Sequence, residues 1–430
     1  MAKQARRAAL GSLVGTTIEW YDFFIYGQAA ALVFDKLYFP GLAAPAATLV
    51  SLATLGVGFV ARPVGGMVFG HFGDRLGRKR VLISTLLLMG VATTLVGALP
   101  GAAAIGVWAP ILLVLLRLVQ GIAVGGEWGG AVLMAVEHAP AGRRGFYGSV
   151  PQMGVPLGLI TSAGIFALLS GAMSDEAFLA WGWRLTFLSS IVVVVVGLLI
   201  RLGIDESPSF ARVKERSEQA RVPLFEVFKH EKRALVLTIG GQALLNIAFY
   251  VTSVYVLTYA RDSAGISRTE SLFALLIAAV VDLAAIPVWA AVSDRIGRRT
   301  VFLIGAAFAA LLAFPMFWLV DTSSFGLMTL ALVLMLALGQ APMYSTLASF
   351  LSESFDVRVR YSAISLSYQV AGAVWAGPAP LVAAALVAAT GGIGVLVGVM
   401  FGAFVVSLAC MFGLKETYRK RLDAGEGVDR

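Results

Sequence analysis

The stretch APILLVLLRLVQGIAVGGEWGGAVLMAVEH, residues 109–138, decides how the rest of the chain is interpreted. It is long enough to cross a hydrocarbon layer of about 30 Å as a helix. It nevertheless carries Arg117 inside an apolar run and Glu127 ten residues later. An arginine at the centre of a membrane costs at least about 2.5–3.5 kcal/mol. We therefore expect this helix to face protein or a water-filled cavity that offers Arg117 a partner or a ligand.

The composition predicts an all-α polytopic membrane protein. Hydrophobic residues make up 59% of the 430 residues and charged residues only 13%, against about 25% charged residues in soluble proteins. Twelve apolar windows, each about as long as a membrane-spanning helix, are predicted as transmembrane helices: 12–38, 48–71, 81–99, 108–137, 146–169, 184–203, 234–260, 271–292, 301–320, 326–349, 361–388 and 391–414.

The basic residues predict the orientation of these helices. With both termini in the cytoplasm, 27 of the 33 lysines and arginines fall in the tails or in cytoplasmic loops, as the positive-inside rule requires. Topology thus explains the net charge of +8, and no nucleic-acid partner is predicted. The first window contains acidic residues and lacks a small-residue cleavage site, so we interpret it as a retained helix in the inner (plasma) membrane.

Enzymes and motors are not predicted. The chain has no G-x-x-x-x-G-K-[ST] sequence for a built-in ATP motor, and it shows no nucleophile–base arrangement. Cys410 is the only cysteine, so neither an intrachain disulfide nor a thiol metal cluster can form. We predict no metal site and no cofactor, with protons as the coupling ion.

One polar segment divides the windows into two sets of six. Residues 1–203 are predicted to form an N-terminal six-helix bundle, 204–233 a solvated cytoplasmic linker, 234–415 a C-terminal six-helix bundle and 416–430 a short cytoplasmic tail. Nothing in this organisation demands more than a monomer.

The two halves repeat one another. GHFGDRLGRKR (70–80) recurs as AAVSDRIGRRT (290–300), which pairs Asp74 with Asp294 at an offset of 220. Two further pairs of acidic motifs recur at offsets of 216 and 210. A duplicated six-helix unit is the parallel-repeat plan of a large class of transporters.

The repeated motifs predict a cytoplasmic latch between the halves. The glycine of D-R-x-G-R-[KR] allows a tight turn, and the aspartate lies where a carboxylate can cap a helix N-terminus or pair with arginine. We expect such contacts to break when the halves rock, although the basic residues alone could serve only as topological anchors. The predicted latch residues are Asp74, Arg75, Arg78, Glu127, Glu137, Arg144, Asp294, Arg295, Arg298, Glu353 and Arg360.

These motifs resemble the major facilitator superfamily. The doubled G-x-x-x-D-R-x-G-R-[KR] loop and R-x-x-Q-G-x-x-x-G-G-E-W in the fourth window carry the resemblance. Other stretches are similar to the metabolite:proton symporter family, which includes shikimate, α-ketoglutarate, citrate and proline/betaine carriers. They are GTTIEWYDFFIYGQAAALVF (15–34), GFVARPVGGMVFGHFGDRLGRKR (58–80), RLVQGIAVGGEWGGA (117–131), WGWRLTF (181–187) and, in the second half, RYSAISLSYQVAG (360–372). The resemblance implies alternating access between two bundles.

An acid and a base are predicted at one membrane depth. At about 1.5 Å per residue, Asp22 lies roughly 15 Å into the first window and Arg117 roughly 14 Å into the fourth. A carboxylate can hold a proton until a cation approaches, so Asp22, Glu19 and Arg117 are predicted to couple protons to transport. The alternative is a static ion pair that lets two polar helices pack. In sugar-transporting relatives an acid on helix one and an arginine on helix four look like the proton site, which supports the first interpretation.

Further polar residues are candidates for the substrate site. Arg62 lies beside Pro63 and small residues that let helices approach closely, and it could either clamp a substrate carboxylate or neutralise Glu127. Asp282 lies in the middle of the eighth window and could be a second proton-coupling site or a substrate contact. The predicted substrate-binding residues are Arg62, Arg117, Tyr26, Gln120, Gln152, Gln242, Asn246, Tyr250, Tyr344, Tyr368 and Trp375.

We therefore expect a secondary active transporter for the proton-coupled uptake of a small organic acid, such as shikimate or a keto acid or dicarboxylate. Two buried arginines favour a carboxylate substrate. The alternatives are a proline/betaine-type osmolyte symporter and an uncoupled facilitator. A nutrient sensor would need a signalling domain, and the tails are too short for one.

Overall fold

The computed structural model describes residues 2–42, 44–215 and 223–419. Parts of the predicted linker (216–222) and of the predicted tail (420–430) lie outside the described residues. The described chain is built from helices, and its long helices follow the predicted windows. They are α1 (Ala2–Leu32), α2 (Ala44–Leu76), α3 (Arg78–Ala98), α4 (Trp108–Glu137), α5 (Arg144–Gln152 and Gly154–Ala172), α6 (Phe178–Leu202), α7 (Lys232–Ala264), α8 (Arg268–Ile296), α9 (Arg298–Val320), α10 (Phe325–Ser354), α11 (Arg360–Thr390) and α12 (Gly394–Gly413).

Eleven of the described helices, α2 to α12, are long and apolar enough to cross a membrane. The remaining predicted window is α1, in which Glu19 and Asp22 are both buried. It packs along α5 and against α4 and α2, as a helix with intramembrane carboxylates must. The protein is therefore an all-α, multi-pass membrane protein, as its composition predicts.

The repeated D-R-x-G-R motifs form equivalent turns. Gly77 separates α2 from α3 with φ of 111°, and Gly297 separates α8 from α9 with φ of 110°. Side-chain-bearing residues are strained in this region, whereas glycine is not. The predicted role of this glycine in a tight turn is confirmed. We call the end of the bundle that carries the two motifs (74–78 and 294–298) the basic end.

Glycines also let the two halves approach closely. On α2, a Cβ atom at Gly70 would lie 2.8 Å from Ser362 Cα of α11, and one at Gly66 would lie 3.2 Å from Gln369 Cγ. In the other half of the repeat, α8 and α10 pack against α5. Small residues at such contacts let helix backbones approach closely.

Three helices of the second half contain a π-helical segment. These segments are Val251–Tyr255 in α7, Met335–Gln340 in α10 and Gly372–Ala376 in α11. Such irregular turns are frequent at functional sites. Those in α10 and α11 border the cavity described below, and hydropathy alone does not reveal them.

Candidate functional site

Asp74 joins the first half to the second. Its carboxylate, at the basic end of α2, accepts hydrogen bonds from the backbone N–H groups of Tyr361 (3.1 Å) and Ser362 (2.9 Å) and from the Ser362 hydroxyl (2.8 Å). These donors begin α11, where the helix dipole and unsatisfied N–H groups favour a negative charge. An acid of one half thus caps a helix of the other.

Asp294 makes the symmetry-related contact. It accepts hydrogen bonds from the backbone N–H groups of Gly145 (2.8 Å) and Phe146 (3.0 Å) at the start of α5, and it pairs with Arg298 at 2.7 Å. The sequence motif predicted a helix cap or an arginine partner, and the structure contains both. The two caps hold the halves together at the basic end.

Two glutamates extend this contact. Glu137 pairs with Arg360 of the other half at 3.0 Å and lies 3.8 Å from Arg78. Its counterpart Glu353 pairs with Arg298 at 3.4 Å and interacts electrostatically with Arg144 of the first half. Most of the predicted latch residues therefore form two symmetry-related clusters across the interface.

The linker and the tail also reach the latch. Glu206 accepts hydrogen bonds from the first backbone N–H groups of α3, and Ser207 donates to Glu137. Glu416 and Thr417 repeat these contacts at α9 and Glu353. Residues 206–207, expected to be solvated linker, are instead anchored to the bundle.

Three predicted latch residues are not among the buried groups of these clusters. The Arg75 and Arg295 side chains are exposed at the basic end. Glu127 pairs with Arg201 and accepts a hydrogen bond from Thr85 at 2.8 Å, all within the first half. The prediction of Glu127 as a latch residue was wrong, as was the alternative that Arg62 neutralises it. Sequence reasoning did not select Arg201, which is buried at the end of α6.

We expect loss of the latch to favour opening of the basic end. The double change Asp74→Asn/Asp294→Asn removes charged hydrogen bonds worth about 1.5–3 kcal/mol each, which should raise the open population at least about tenfold. Opening can be followed with a single cysteine. Cys410 is the only native cysteine, so Cys410→Ser combined with Ala348→Cys leaves one thiol, at a buried position on α10 near Gly148 of α5. When the open population rises, this thiol should react faster with a water-soluble maleimide. An unchanged rate, matching that of the exposed control Asp262→Asn, would contradict the latch.

We expect Glu127 and Arg201 to stabilise the fold as a pair. Removing one partner of a buried ion pair costs about 3–5 kcal/mol because the other charge stays buried without compensation. Glu127→Gln and Arg201→Gln should each lower the thermal unfolding temperature of the purified protein, and the double change should lower it by less than the sum of the two. Additive effects would show that the two side chains do not depend on each other.

A polar cavity inside the first half brings the predicted proton-coupling residues together. Its lining includes Glu19, Asp22, Arg62, Arg117 and Gln120. It lies between α1, α2, α3 and α4. The depth argument from sequence therefore placed Asp22 and Arg117 correctly in one neighbourhood.

Asp22 and Arg117 are linked through intermediates. Arg117 donates to Gln120 (3.2 Å), Gln120 donates to Thr93 (2.8 Å), and Thr93 donates to Asp22 Oδ2 (2.6 Å). Within the described residues no direct ion pair joins Asp22 to Arg117, so the static-pair alternative does not describe this structure. Thr93, on α3, had no signal in the sequence beyond being a hydroxyl in an apolar helix.

Several features hold Arg117 in position. Its guanidinium carbon lies 4.2 Å from the centre of the Tyr26 ring, and the Tyr26 hydroxyl donates to Thr54 at 2.8 Å. A Cβ atom at Gly58 would lie 2.9 Å from Arg117 Nε, so the glycine leaves room for the arginine. Tyr26, predicted to touch substrate, is fully buried and supports Arg117 instead.

Arg62 lies between this polar cavity and a second one. It lines both, and its guanidinium carbon lies 4.7 Å from the Phe59 ring centre, 5.5 Å from that of Phe23 and 5.9 Å from that of Trp20. In the part of the chain that the structure describes, no carboxylate forms an ion pair with it. Glu19 interacts with it electrostatically from the polar cavity. Arg62 is therefore a buried cation that can accept an anionic ligand.

The second cavity, which we call the central cavity, lies between the two halves. It contains about 550 Å³ of free space, part of it open to solvent. Arg62 is its cation, and the predicted residues Asn246, Tyr250, Tyr344 and Tyr368 line it from the second half. Gln369 also lines it, and sequence reasoning did not select the other prominent lining residues, Trp20, Phe59, Phe249 and Gln340. A position between repeats is where transporters of this plan bind their substrates.

Some predicted substrate residues lie elsewhere. Gln152 is fully buried, accepts a hydrogen bond from Trp128 (2.8 Å) and donates to the Tyr344 carbonyl (3.0 Å). Trp375 donates to the Ile239 carbonyl at 3.0 Å, and Gln242 donates to Thr238 and Ser367. None of the three is among the described residues that line the central cavity, and each donates a hydrogen bond to another residue of the protein.

An aromatic stack adds a second contact between the halves. The rings of Trp128 on α4 and Tyr368 on α11 are parallel, with centres 3.7 Å apart. Trp128 also binds Gln152, which reaches α10. These contacts join α4, α5, α10 and α11 beside the central cavity, so Trp128 packs between the helices there.

A third cavity contains Asp282. It is lined by residues of α1, α5, α7, α8 and α10, including Trp20, Phe24, Phe249 and Tyr250. Asp282 is buried, and its Oδ1 atom has no hydrogen-bond partner among the described residues. This carboxylate is separated from the polar cavity of the first half.

An all-α membrane fold with a cavity between its two halves is typical of a membrane transporter. Residues 13–380 match the Major Facilitator Superfamily, and the chain belongs to that superfamily. It is therefore a transporter rather than an enzyme, and proton symporters of this superfamily need no cofactor.

Curated transporters are similar along nearly the whole chain. The shikimate transporter of Escherichia coli K12 is 42% identical over 89% of this chain and 88% of its own length. The inner membrane metabolite transport protein YhjE of the same organism is 39% identical (94% and 93%), and its proline/betaine transporter is 32% identical (97% and 85%). The proton:xylose symporter XylE, solved with 6-bromo-6-deoxy-D-glucose, has a TM-score of 0.80 at 17% identity and 98% coverage of each chain, and it shares the fold.

Proposed function

We propose that this protein takes up a small organic acid together with protons across the inner membrane. The observation that carries the proposal is Arg62, a buried cation that lies against aromatic rings and lines the central cavity. Guanidinium groups bind carboxylates strongly and with defined geometry. Shikimate and keto acids or dicarboxylates are the proposed classes, since the shikimate transporter is 42% identical to this chain.

The central cavity offers further groups to such an acid. Asn246 and Gln340 supply amide groups, and Tyr250, Tyr344 and Tyr368 supply hydroxyl groups from the second half. Gln340 Oε1 is buried without a partner among the described residues, so a substrate hydroxyl could donate to it. Hydrogen bonds to substrate from both halves would draw the halves together around the ligand.

Proton coupling is proposed for the polar cavity. The link Arg117–Gln120–Thr93–Asp22 connects the cation to the carboxylate, and Glu19 lies in the same cavity. Because Arg62 borders both cavities, a substrate anion at Arg62 would weaken its interaction with Glu19 and favour protonation there. The latch at the basic end would then release, and substrate and proton would leave on that side, which topology predicts to be the cytoplasm.

Uptake by reconstituted protein tests this proposal. Proteoliposomes that are more acidic outside than inside should accumulate labelled shikimate, 2-oxoglutarate or citrate. Collapse of this proton gradient should remove accumulation. Accumulation of proline or betaine only would favour the osmolyte alternative, which the 32% identical proline/betaine transporter supports. Equilibration without accumulation would favour a facilitator. One chain contains both halves of the cavity, so we propose that a monomer is sufficient.

A further inference from the structure

The cavity around Asp282 adjoins the central cavity, and its carboxylate has no part in the proposed organic-acid and proton sites. It contains about 490 Å³ of free space, part of it open to solvent, and its described lining offers one charged side chain, Asp282. That residue is only 3% exposed. No arginine, lysine or histidine of the described chain pairs with it, and its Oδ1 atom lacks a hydrogen-bond donor. A carboxylate in such surroundings is costly unless it holds a proton or a cation.

The walls of this cavity suit an organic cation. Five of the lining residues are aromatic: Trp20, Phe23, Phe24, Phe249 and Tyr250. Arg62 already lies against the Trp20 and Phe23 rings, which leaves Phe24, Phe249 and Tyr250. Aromatic faces attract ammonium groups, most strongly where water is excluded. A proton alone would need neither the space nor the rings.

We propose that the Asp282 cavity binds an organic ammonium group. The carboxylate neutralises the charge, and the rings surround the substituents on nitrogen. The inference rests on the proposed transport function and adds to its substrate class. The ammonium group could belong to a separate cation or to a zwitterion whose carboxylate binds Arg62.

A zwitterion could bind because the Asp282 cavity and the central cavity are neighbours. Trp20, Val155, Phe249 and Tyr250 line both the central cavity and the Asp282 cavity. Arg62 and Asp282 thus lie in adjoining cavities. A solute with opposite charges at its two ends would match this arrangement, whereas a plain acid would use Arg62 alone.

A pair of nearly isosteric probes tests the proposal on the purified full-length protein. Glycine betaine has a quaternary nitrogen where 3,3-dimethylbutanoate has a quaternary carbon, and the two are otherwise alike. Tetramethylammonium, a third probe, has the quaternary nitrogen but no carboxylate. We expect betaine to bind at least about tenfold more tightly than dimethylbutanoate. Asp282→Asn should remove that preference, Asp282→Glu should keep most of it, and the exposed control Asp262→Asn should leave it unchanged. Thermal unfolding without ligand would establish that each variant is folded.

The probes also distinguish a separate cation from a zwitterion, and an ammonium site from a proton site. Tetramethylammonium binding that depends on Asp282 would support the site and indicate a separate cation, whereas Asp282-dependent binding of betaine alone would support it and indicate a zwitterion. The proposal is overturned if no ammonium compound binds in an Asp282-dependent way. If Asp282→Asn then abolished proton-driven uptake of organic acids, Asp282 would be a proton site, and the proposed transport function would stand.

Discussion

Arg62→Ala is expected to lower the affinity for an organic acid by about 10- to 100-fold. Hydrogen bonds to charged groups contribute about 1.5–3 kcal/mol, and each 1.4 kcal/mol is a tenfold change in affinity. No other cation lines the central cavity within the described chain, so none can replace the guanidinium. Binding to purified protein, measured by calorimetry with the acid that is transported, gives this ratio directly.

Two further variants serve as comparisons for Arg62→Ala. One keeps the positive charge at position 62, and the other removes an arginine elsewhere in the protein. Arg62→Lys keeps the positive charge but loses the two-pronged geometry, so we expect an intermediate loss of affinity. Arg261→Ala removes an arginine that is exposed beside Asp262 and should leave affinity unchanged. If Arg62→Ala bound the acid as tightly as the unmodified protein, the carboxylate would have to bind elsewhere, with Arg117 as the next candidate.

Asp22→Asn is expected to abolish accumulation while leaving exchange intact. One pH unit corresponds to 1.36 kcal/mol per proton, so one coupled proton supports up to about tenfold accumulation across such a gradient. Asparagine can still accept the hydrogen bond from Thr93 but cannot carry a proton. The ratio of internal to external substrate in proteoliposomes should therefore fall to about one.

Counterflow of labelled against unlabelled substrate distinguishes lost coupling from lost folding. It should continue in Asp22→Asn, because the central cavity and the latch are unchanged. Glu19→Gln tests the second carboxylate of the same cavity, and the exposed Asp262→Asn serves as the matched control. Full accumulation in Asp22→Asn, together with loss in Glu19→Gln, would assign the coupling proton to Glu19.

The latch shows how far motif symmetry reaches. Asp74 and Asp294 recur in the same motif, and the expectation that they join the halves agrees with their contacts to α11 and α5. The motif could not distinguish them from Arg75 and Arg295, which point to solvent. Which side of a helix end is buried depends on the neighbouring helix.

Depth along a helix was a partial guide to the charged residues. It placed Asp22 and Arg117 in one cavity, but it also allowed Arg62 to neutralise Glu127. In the structure Glu127 pairs with Arg201, and Gly15 leaves room for that pair. The depth of a residue along its helix axis follows from counting residues. The neighbouring helix towards which its side chain points does not.

By itself the sequence determined that the chain crosses a membrane as two repeated sets of helices with a charged interior. Apolar length, loop charge and motif repetition act locally, since each helix must satisfy its own backbone in lipid. Tertiary structure alone decided which charges have partners. Packing turned Glu127 towards Arg201 and left Arg62 and Asp282 facing cavities, because ion pairs form only where helices bring two side chains within a few ångströms.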